Sequence, residues 1–336
     1  MKVLGTGGLG FIVSHVVVEL QQQGFEVVII DNLSNSSIDV LKGITVITKK
    51  QPIFEKMDLR DKSSVSEFLK KHSDLSGVFH FTASKAVGES VENPLLYYEN
   101  NLYTLIYLLQ ELQKKKSSHF IFSSSCTVYG QADFMPIPES APIKTAESPY
   151  GNTKQMGGEI IVDTCKVLHN INENALRYFH PIGAHNSAKI GELSIGTPQN
   201  LVPFINQTGI GIREQLSDFG DDYPTEDGTC IRDYIHVVDL VKAHVSALQR
   251  LVDGINKSIF EVFNIGTGKG SSVLEVISVF EKVSGQKLNY KIGRRREGDV
   301  ISAYADTDTA NSILGWKGTS FITNTAIASI PYSFRF

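Results

Sequence analysis

Short apolar runs alternate with amphipathic, helix-length segments through the first half of the chain, the pattern of βαβ units and a parallel sheet. Runs at 2–6, 26–31, 54–58, 77–81, 119–123 and 174–178 predict strands, and segments at 10–23, 61–71, 94–115 and 149–168 predict helices between them. Joined by right-handed crossovers, these strands form a Rossmann-type, doubly wound α/β sheet whose ligands bind beyond the carboxyl ends of the strands. After Pro181 the texture changes. Gly-, Pro- and Asn-rich stretches at 183–203 and 219–229 separate isolated helices predicted at 237–251 and 272–284. The pattern therefore divides the chain into a sheet-building domain, 1–180, and a smaller α+β lobe, 181–336, with some later segments returning to the first domain.

Composition narrows the function classes. The chain has 336 residues, 41% hydrophobic and 20% charged, which is ordinary globular usage. With 32 Lys+Arg against 36 Asp+Glu, the net charge of −4 gives no footprint for nucleic acid or an anionic membrane. The basic run at 114–116 ends a predicted helix, where lysines complement the helix dipole. No apolar run approaches the ~18 residues that span a bilayer. The apolar first twenty residues are broken by Gly5, Gly7, Gly8 and Gly10, so they read as folded structure and not a signal peptide. Cys126, Cys165 and Cys230 are odd in number and widely spaced, which reads as reduced thiols in a cytoplasmic protein.

The segment Thr6-Gly7-Gly8-Leu9-Gly10-Phe11-Ile12 follows the first predicted strand and opens the first helix. Glycines there let the backbone approach a pyrophosphate, whose charge is met by free N–H groups at the helix start. Asp31 closes the second predicted strand about 20 residues on, the spacing of a carboxylate that binds the adenosine ribose. The pair predicts NAD, and the same carboxylate repels the 2′-phosphate of NADP. A second glycine-rich stretch at 264–271 fails as a phosphate loop because Phe263 and Gly270 stand where a P-loop needs Gly and Ser or Thr.

Tyr150 and Lys154 stand four residues apart at the start of a predicted helix, so both side chains lie on one face and an ammonium can stabilise a phenolate. Ser125 closes the Ser123-Ser124-Ser125 run after the fifth predicted strand. Lowering a tyrosine from ~10 toward ~7 takes roughly 4 kcal/mol, which the reading asks of Lys154 and a cationic nicotinamide. The nine histidines form no zinc-binding pattern, so no metal is expected.

With these features the chain resembles the extended short-chain dehydrogenase/reductases and, within them, the UDP-glucose (UDP-galactose) 4-epimerase family. The resemblance runs through His80-Phe81, Lys85-Ala-Val-Gly-Glu-Ser90, Thr127-Val-Tyr-Gly130, Leu176-Arg-Tyr-Phe179, the block from Asp222 to Gly228, Arg232-Asp-Tyr-Ile-His236 and Arg296-Glu-Gly-Asp299. It implies an enzyme that interconverts UDP-galactose and UDP-glucose with tightly bound NAD. Tyr150 takes the proton of the sugar 4-hydroxyl, Ser125 hydrogen-bonds that hydroxyl, and Lys154 holds the nicotinamide ribose. The implied NAD residues, besides Gly7, Gly10, Phe11 and Ile12 of the loop, are Asp31, Asn32, Asn35, Asp58, Leu59, Phe81, Lys85, Asn100, Tyr150, Lys154 and Tyr178. The implied UDP-sugar residues are Ser125, His180, Asn200, Leu216, Phe219, Arg232, Arg296 and Asp299. A homodimer is implied as well. Small Ala303 falls where the family gates room beside the sugar 2-substituent, implying acceptance of UDP-N-acetylhexosamines.

Some residues depart from the family pattern. Val13 replaces a loop glycine and is expected to crowd the helix against the sheet and loosen NAD; Gly5 replaces a strand valine. His180 replaces an asparagine and is expected to gain charge, and so tighten UDP-sugar binding, between pH 8 and 6. The ending at 330–336 lacks the usual tryptophan. These departures leave open a catalytically impaired NAD- and UDP-sugar-binding homologue. Another nucleotide-sugar reductase relative is a further alternative, although a dehydratase needs an acidic pair beside the catalytic serine and Ser125-Cys126-Thr127-Val128 has none.

Overall fold

The computed structural model describes residues 1–319 apart from 116, 117, 169, 195 and 297, and describes the backbone but not the side chains of Asp218 and Phe219. The C-terminal stretch 330–336 lies outside the described residues.

The first part of the chain runs β1 (Lys2–Thr6), α1 (Phe11–Gln22), β2 (Glu26–Asp31), α2 (Asp39–Thr48), β3 (Ile53–Lys56), α3 (Lys62–Lys71) and β4 (Leu75–His80). It continues through α4 (Val87–Glu92), α5 (Pro94–Leu112), β5 (Ser118–Ser123), a 3-10 turn at Cys126–Tyr129, α6 (Pro149–Val167) and β6 (Ile171–Tyr178). Then follow β7 (His180–Ile182), α7 (Leu201–Gly209), β8 (Leu216–Phe219), β9 (Ile231–Arg232), β10 (Tyr234–His236) and α8 (Val237–Val252). The last elements are β11 (Phe260–Ile265), β12 (Ser271–Ser272), α9 (Val273–Ser284), β13 (Tyr290–Gly293), β14 (Ser302–Ala303) and α10 (Asp308–Ile313).

One seven-stranded sheet has the order β11-β6-β5-β4-β1-β2-β3, and all its neighbours pair in parallel. Alternation along the strands sends side chains to two cores, as a sheet covered on both faces requires. Val3, Ile29, Phe79, Ile121 and Phe263 face α1 and α8, whereas Leu4, Val28, Ile30, Val78 and Phe122 face α3, α5 and α6. The sequence places strands and helices within a few residues of these bounds. It misses α2, α4, α7 and α10, and it does not identify β11, whose chain comes from the later half and runs parallel to β6.

Strand order reverses between β1 and β4, which opens a crevice at their carboxyl ends. Thr6, the last residue of β1, pins this point. Its Oγ1 accepts the N–H groups of Phe81 (3.0 Å) and Thr82 (3.2 Å). The Thr6 proton therefore goes to Nδ1 of His80, 3.1 Å away. Elements of the second half build a separate core on Ile182, Val202, Ile205, Leu216, Tyr234, Ile277 and Phe280.

Candidate active site

The glycine loop forms where its sequence demands. Gly7 sits at φ +66°, a conformation side chains disfavour. A Cβ on Gly8 would come within 2.3 Å of Ile29 Cβ, so only glycine lets the loop lie on β2. Gly10 is the N-cap of α1 and provides no side-chain cap, which leaves the first N–H groups of the helix, at Phe11 and Ile12, facing the crevice for an anion. Asp31 ends β2 beside them. Its carboxylate accepts from Leu9 N (3.1 Å), Leu33 N (2.8 Å) and Ser36 Oγ (2.7 Å).

Val13 does not crowd this junction. It is buried, and a Cβ on Gly5 would lie 3.2 Å from Val13 Cγ1. The valine on the helix fills the space that the glycine on the strand leaves, and the expected overpacking is absent.

The other residues expected on the cofactor side have these surroundings. Asn32 Nδ2 donates to Asp58 at 3.3 Å, and Arg60 grips the Asp58 carboxylate through Nε (3.1 Å) and Nη2 (2.7 Å). That hydrogen bonding holds Asp58 down at about 2. Leu59 is buried and Asn35 is exposed. The Phe81 ring lies 5.0 Å from His244, centre to centre. Asn100 Nδ2 donates to Ser84 Oγ at 3.2 Å, and neighbouring Asn101 bridges Ser84 O to Thr153 Oγ1 on α6. Lys85 pairs with Glu192 at 3.1 Å.

Tyr150 and Lys154 reach the crevice because α6 starts there. Ser148 caps the helix by accepting from Gly151 N at 3.2 Å, and Pro149 takes the first helical position, where a missing N–H costs nothing. Lys154 Nζ donates to Ser123 O at 2.6 Å and lies 5.1 Å from the centre of the Phe122 ring. Tyr178, at the end of β6, shares a 2.6 Å hydrogen bond with Ser123 Oγ. Ser125 Oγ accepts from Thr127 N (3.2 Å) and Thr127 Oγ1 (3.0 Å). Both these bonds come from Thr127, and Ser125 is also the hydrogen-bonding neighbour that lowers the Tyr150 phenol.

Burial governs the charges. It raises the Tyr150 phenol well above its ordinary value, helped by the neighbouring Tyr178 and opposed by the hydrogen bond from Ser125. It lowers Lys154 to about 7. The expected lowering named Lys154 together with a cationic nicotinamide; among the protein's own groups alone, desolvation outweighs the hydrogen bond that lowers Tyr150.

A second cluster adjoins the first. Asp299 accepts from Arg296 through Nε (3.1 Å) and Nη2 (2.9 Å), and from Arg232 Nη2 at 3.5 Å. Arg232 is buried, with Nη1 on Ile231 O (2.9 Å). Cys126 feels both Arg232 and Asp233, acts on Tyr150, and is itself pushed up to about 12 by burial. His180, on β7, faces Arg232, Asp299 and Arg296, and burial with the arginine charges holds it down at about 3. It stays neutral from pH 8 to 6, so the expected gain of charge in that range does not occur. Its Nδ1 is buried without a hydrogen-bond partner. Asn200 stands at the N-cap position of α7 without a side-chain capping bond and donates to Glu192 at 2.8 Å. Leu216 is a core side chain of the smaller lobe, and its N–H is given to Asn289 O at 2.9 Å. The Phe219 side chain lies outside the described residues. Sequence reasoning missed Thr127, which orients Ser125, and Glu192, which joins Lys85 to Asn200; neither stands in a pattern that signals chemistry.

A serine, a tyrosine and a lysine gathered at the carboxyl ends of a Rossmann sheet define the short-chain dehydrogenase/reductase class. Residues 4–326 match the family described as GDP-mannose 4,6 dehydratase. The chain is 45% identical over 321 residues to the UDP-glucose 4-epimerase of Mus musculus, covering 94% of this chain and 91% of that protein. Among solved structures it resembles the UDP-glucose 4-epimerase from Bifidobacterium longum in complex with NAD+ and UDP, at a TM-score of 0.95 and 40% identity, covering 100% of this chain and 98% of that one. It also resembles the Stenotrophomonas maltophila enzyme with bound NAD and formylated UDP-arabinopyranose, at a TM-score of 0.94 and 43% identity, with 99% and 98% covered. The chain belongs to the UDP-glucose 4-epimerase family of the extended short-chain dehydrogenase/reductases.

Proposed function

We propose that this chain interconverts UDP-galactose and UDP-glucose by transient oxidation at sugar C4, with tightly bound NAD that ends each cycle unchanged. The observation that carries this reading is the gathering of Ser125, Tyr150 and Lys154 beside the Arg232–Asp299–Arg296 cluster, in a chain 45% identical to known 4-epimerases. The residues fit the dinucleotide: glycines 7 and 8 lie where a side chain is strained or blocked, the N-terminus of α1 has no side-chain cap, and Asp31 stands beside it. When bound, NAD supplies the two-electron acceptor for C4 and returns the electrons to the opposite face of the sugar.

The protein's own groups manage the proton and the orientation. Tyr150 Oη accepts the 4-hydroxyl proton, and Ser125 bridges that hydroxyl and the phenol. Lys154 contributes the charge that a desolvated phenolate needs. Arg232 and Arg296 suit a diphosphate because guanidinium groups are permanently charged and bidentate. Asn32, Asn35, Asp58, Leu59, Phe81, Lys85, Asn100 and Tyr178 complete the cofactor side; His180, Asn200, Leu216, Phe219 and Asp299 complete the sugar-nucleotide side.

The same reading divides the chain into an NAD-binding part, 1–180, and a UDP-sugar lobe, 181–336, with α8 and β11 packed back on the first. It also includes a homodimer, supported by the outward Leu95, Leu96 and Tyr103 of α5. Among the described residues no helix is long and apolar enough to cross a membrane, and the buried thiols Cys126 and Cys165 suit a reducing compartment such as the cytoplasm. The test is to incubate the purified protein with UDP-galactose, measure UDP-glucose, and identify the cofactor released on denaturation. Conversion with NAD recovered supports the assignment; NAD and UDP binding without conversion would instead make this an impaired homologue.

A further inference from the structure

Glu192 lies outside every motif and is nearly buried, with its side chain 12% exposed. One of its oxygens, Oε1, accepts from two residues at once: Lys85 Nζ at 3.1 Å and Asn200 Nδ2 at 2.8 Å. Lys85 belongs to the segment after β4 on the cofactor side, and Asn200 stands at the start of α7 on the sugar-nucleotide side. The Glu192 backbone is anchored next door, where Gly191 bridges to Ala184. Asn200 also adjoins the arginine cluster, because Arg296 Nη1 donates to Gln199 O at 3.4 Å.

A carboxylate offers acceptors only, so it takes the NH₂ side of an amide and refuses the carbonyl side. Glu192 thereby fixes which way Asn200 faces. The amide turns one N–H to the carboxylate, leaving its Oδ1 to accept from a hydroxyl or ring N–H of the ligand. We propose that Glu192 is a positioning residue for the nucleotide sugar: it sets the Asn200 amide in its acceptor-out orientation and is itself steadied by Lys85. The proposal rests on the UDP-sugar reading above and extends it to a residue that acts through Asn200.

The variants separate the two bonds. Glu192→Ala removes both, and the Asn200 amide then turns freely. Glu192→Gln keeps an acceptor oxygen for Asn200 but surrenders the charge that holds Lys85. Steady-state epimerisation and UDP titration are measured for both, with cofactor content determined by extraction and Asn200→Ala as the reference. Loss of one net hydrogen bond corresponds to roughly fivefold in affinity. The expected result is a KM for UDP-galactose about fivefold higher in Glu192→Ala, an unchanged kcat, full cofactor content, and recovery of most of the loss in Glu192→Gln. If Asn200→Ala weakens UDP binding while Glu192→Ala leaves KM within twofold of the parent, the positioning role is overturned. If Glu192→Ala lowers kcat and cofactor content together, Glu192 is merely structural and the proposal is also overturned. If Asn200→Ala leaves UDP binding unchanged, it is the placement of the nucleotide sugar at Asn200 that fails, and the role fails with it.

Discussion

Burial lifts the Tyr150 phenol above its ordinary value, with Tyr178 adding to the lift, while hydrogen bonding with Ser125 works against both. Thr127 orients Ser125 by donating to its Oγ from both N and Oγ1. In the proposed reaction Tyr150→Phe removes the proton acceptor and little volume, so activity is expected to fall by ~10²–10⁴ while UDP and NAD binding stay near the parent. Activity within threefold of the parent would remove Tyr150 from the chemistry. Substrate width belongs to the same scale. Ala303 is buried, pairs in register with Arg232 and packs against Cys126 and Phe179. Its small side chain is expected to permit UDP-N-acetylglucosamine turnover, and Ala303→Tyr to suppress that turnover roughly tenfold more than turnover of UDP-glucose. Equal losses on the two substrates would show that the side chain does not set the width.

At the scale of elements, β1 and α1 are matched by exchange of volume. Gly5→Val alone would place its Cβ about 3.2 Å from Val13 Cγ1 and is expected to lower the unfolding midpoint, since overpacking costs ~1–3 kcal/mol. Adding Val13→Gly to that variant should restore most of the loss; an additive further loss in the double variant would show that the two sites are independent. This pairing marks the limit of sequence reading. The glycine loop, Asp31, and the Tyr150 and Lys154 spacing are legible because local geometry imposes them. That Gly5 and Val13 face each other depends on helix-on-sheet packing, which no local pattern states. Missed elements have similar reasons. In α2, Gly43 interrupts a good helical pattern because the helix lies against Lys189 O, where a Cβ would come within 2.5 Å. In α7, Pro203 looks like a breaker but falls in the first turn, where its missing N–H is tolerated. The strand at 260–265 has the right composition, but its place beside β6 is a tertiary fact. Glu192 and Thr127 were illegible for the same cause: their partners are brought by other segments.

For the whole molecule, buried histidines couple stability to pH. His15 and His80 are held at about 3 and His244 at about 4, each by burial. In the unfolded chain each titrates near 6.5, so below that pH the unfolded state binds more protons and the folded state loses ground. The stabilisation is fully present above ~6.5 and is lost as pH falls toward the folded values, by about 2 kcal/mol for each histidine at pH 5. Glu173 acts in the opposite sense: burial raises its carboxyl, so its contribution falls as pH rises above ~4.5. Denaturant unfolding at pH 7.5 and pH 5 should show a loss of several kcal/mol, reduced by about 2 kcal/mol in His244→Phe. A stability that is flat across this range would contradict the buried neutral state of these rings.

The central claim is that one hydrogen leaves sugar C4 and returns to it within a single protein-bound cycle. It is tested most directly by following UDP-galactose carrying deuterium at C4 through conversion in ordinary water. The label is expected to be retained at C4 of the UDP-glucose formed, with no solvent hydrogen entering that position. Loss of the label to water, or its appearance at another sugar carbon, would contradict the account.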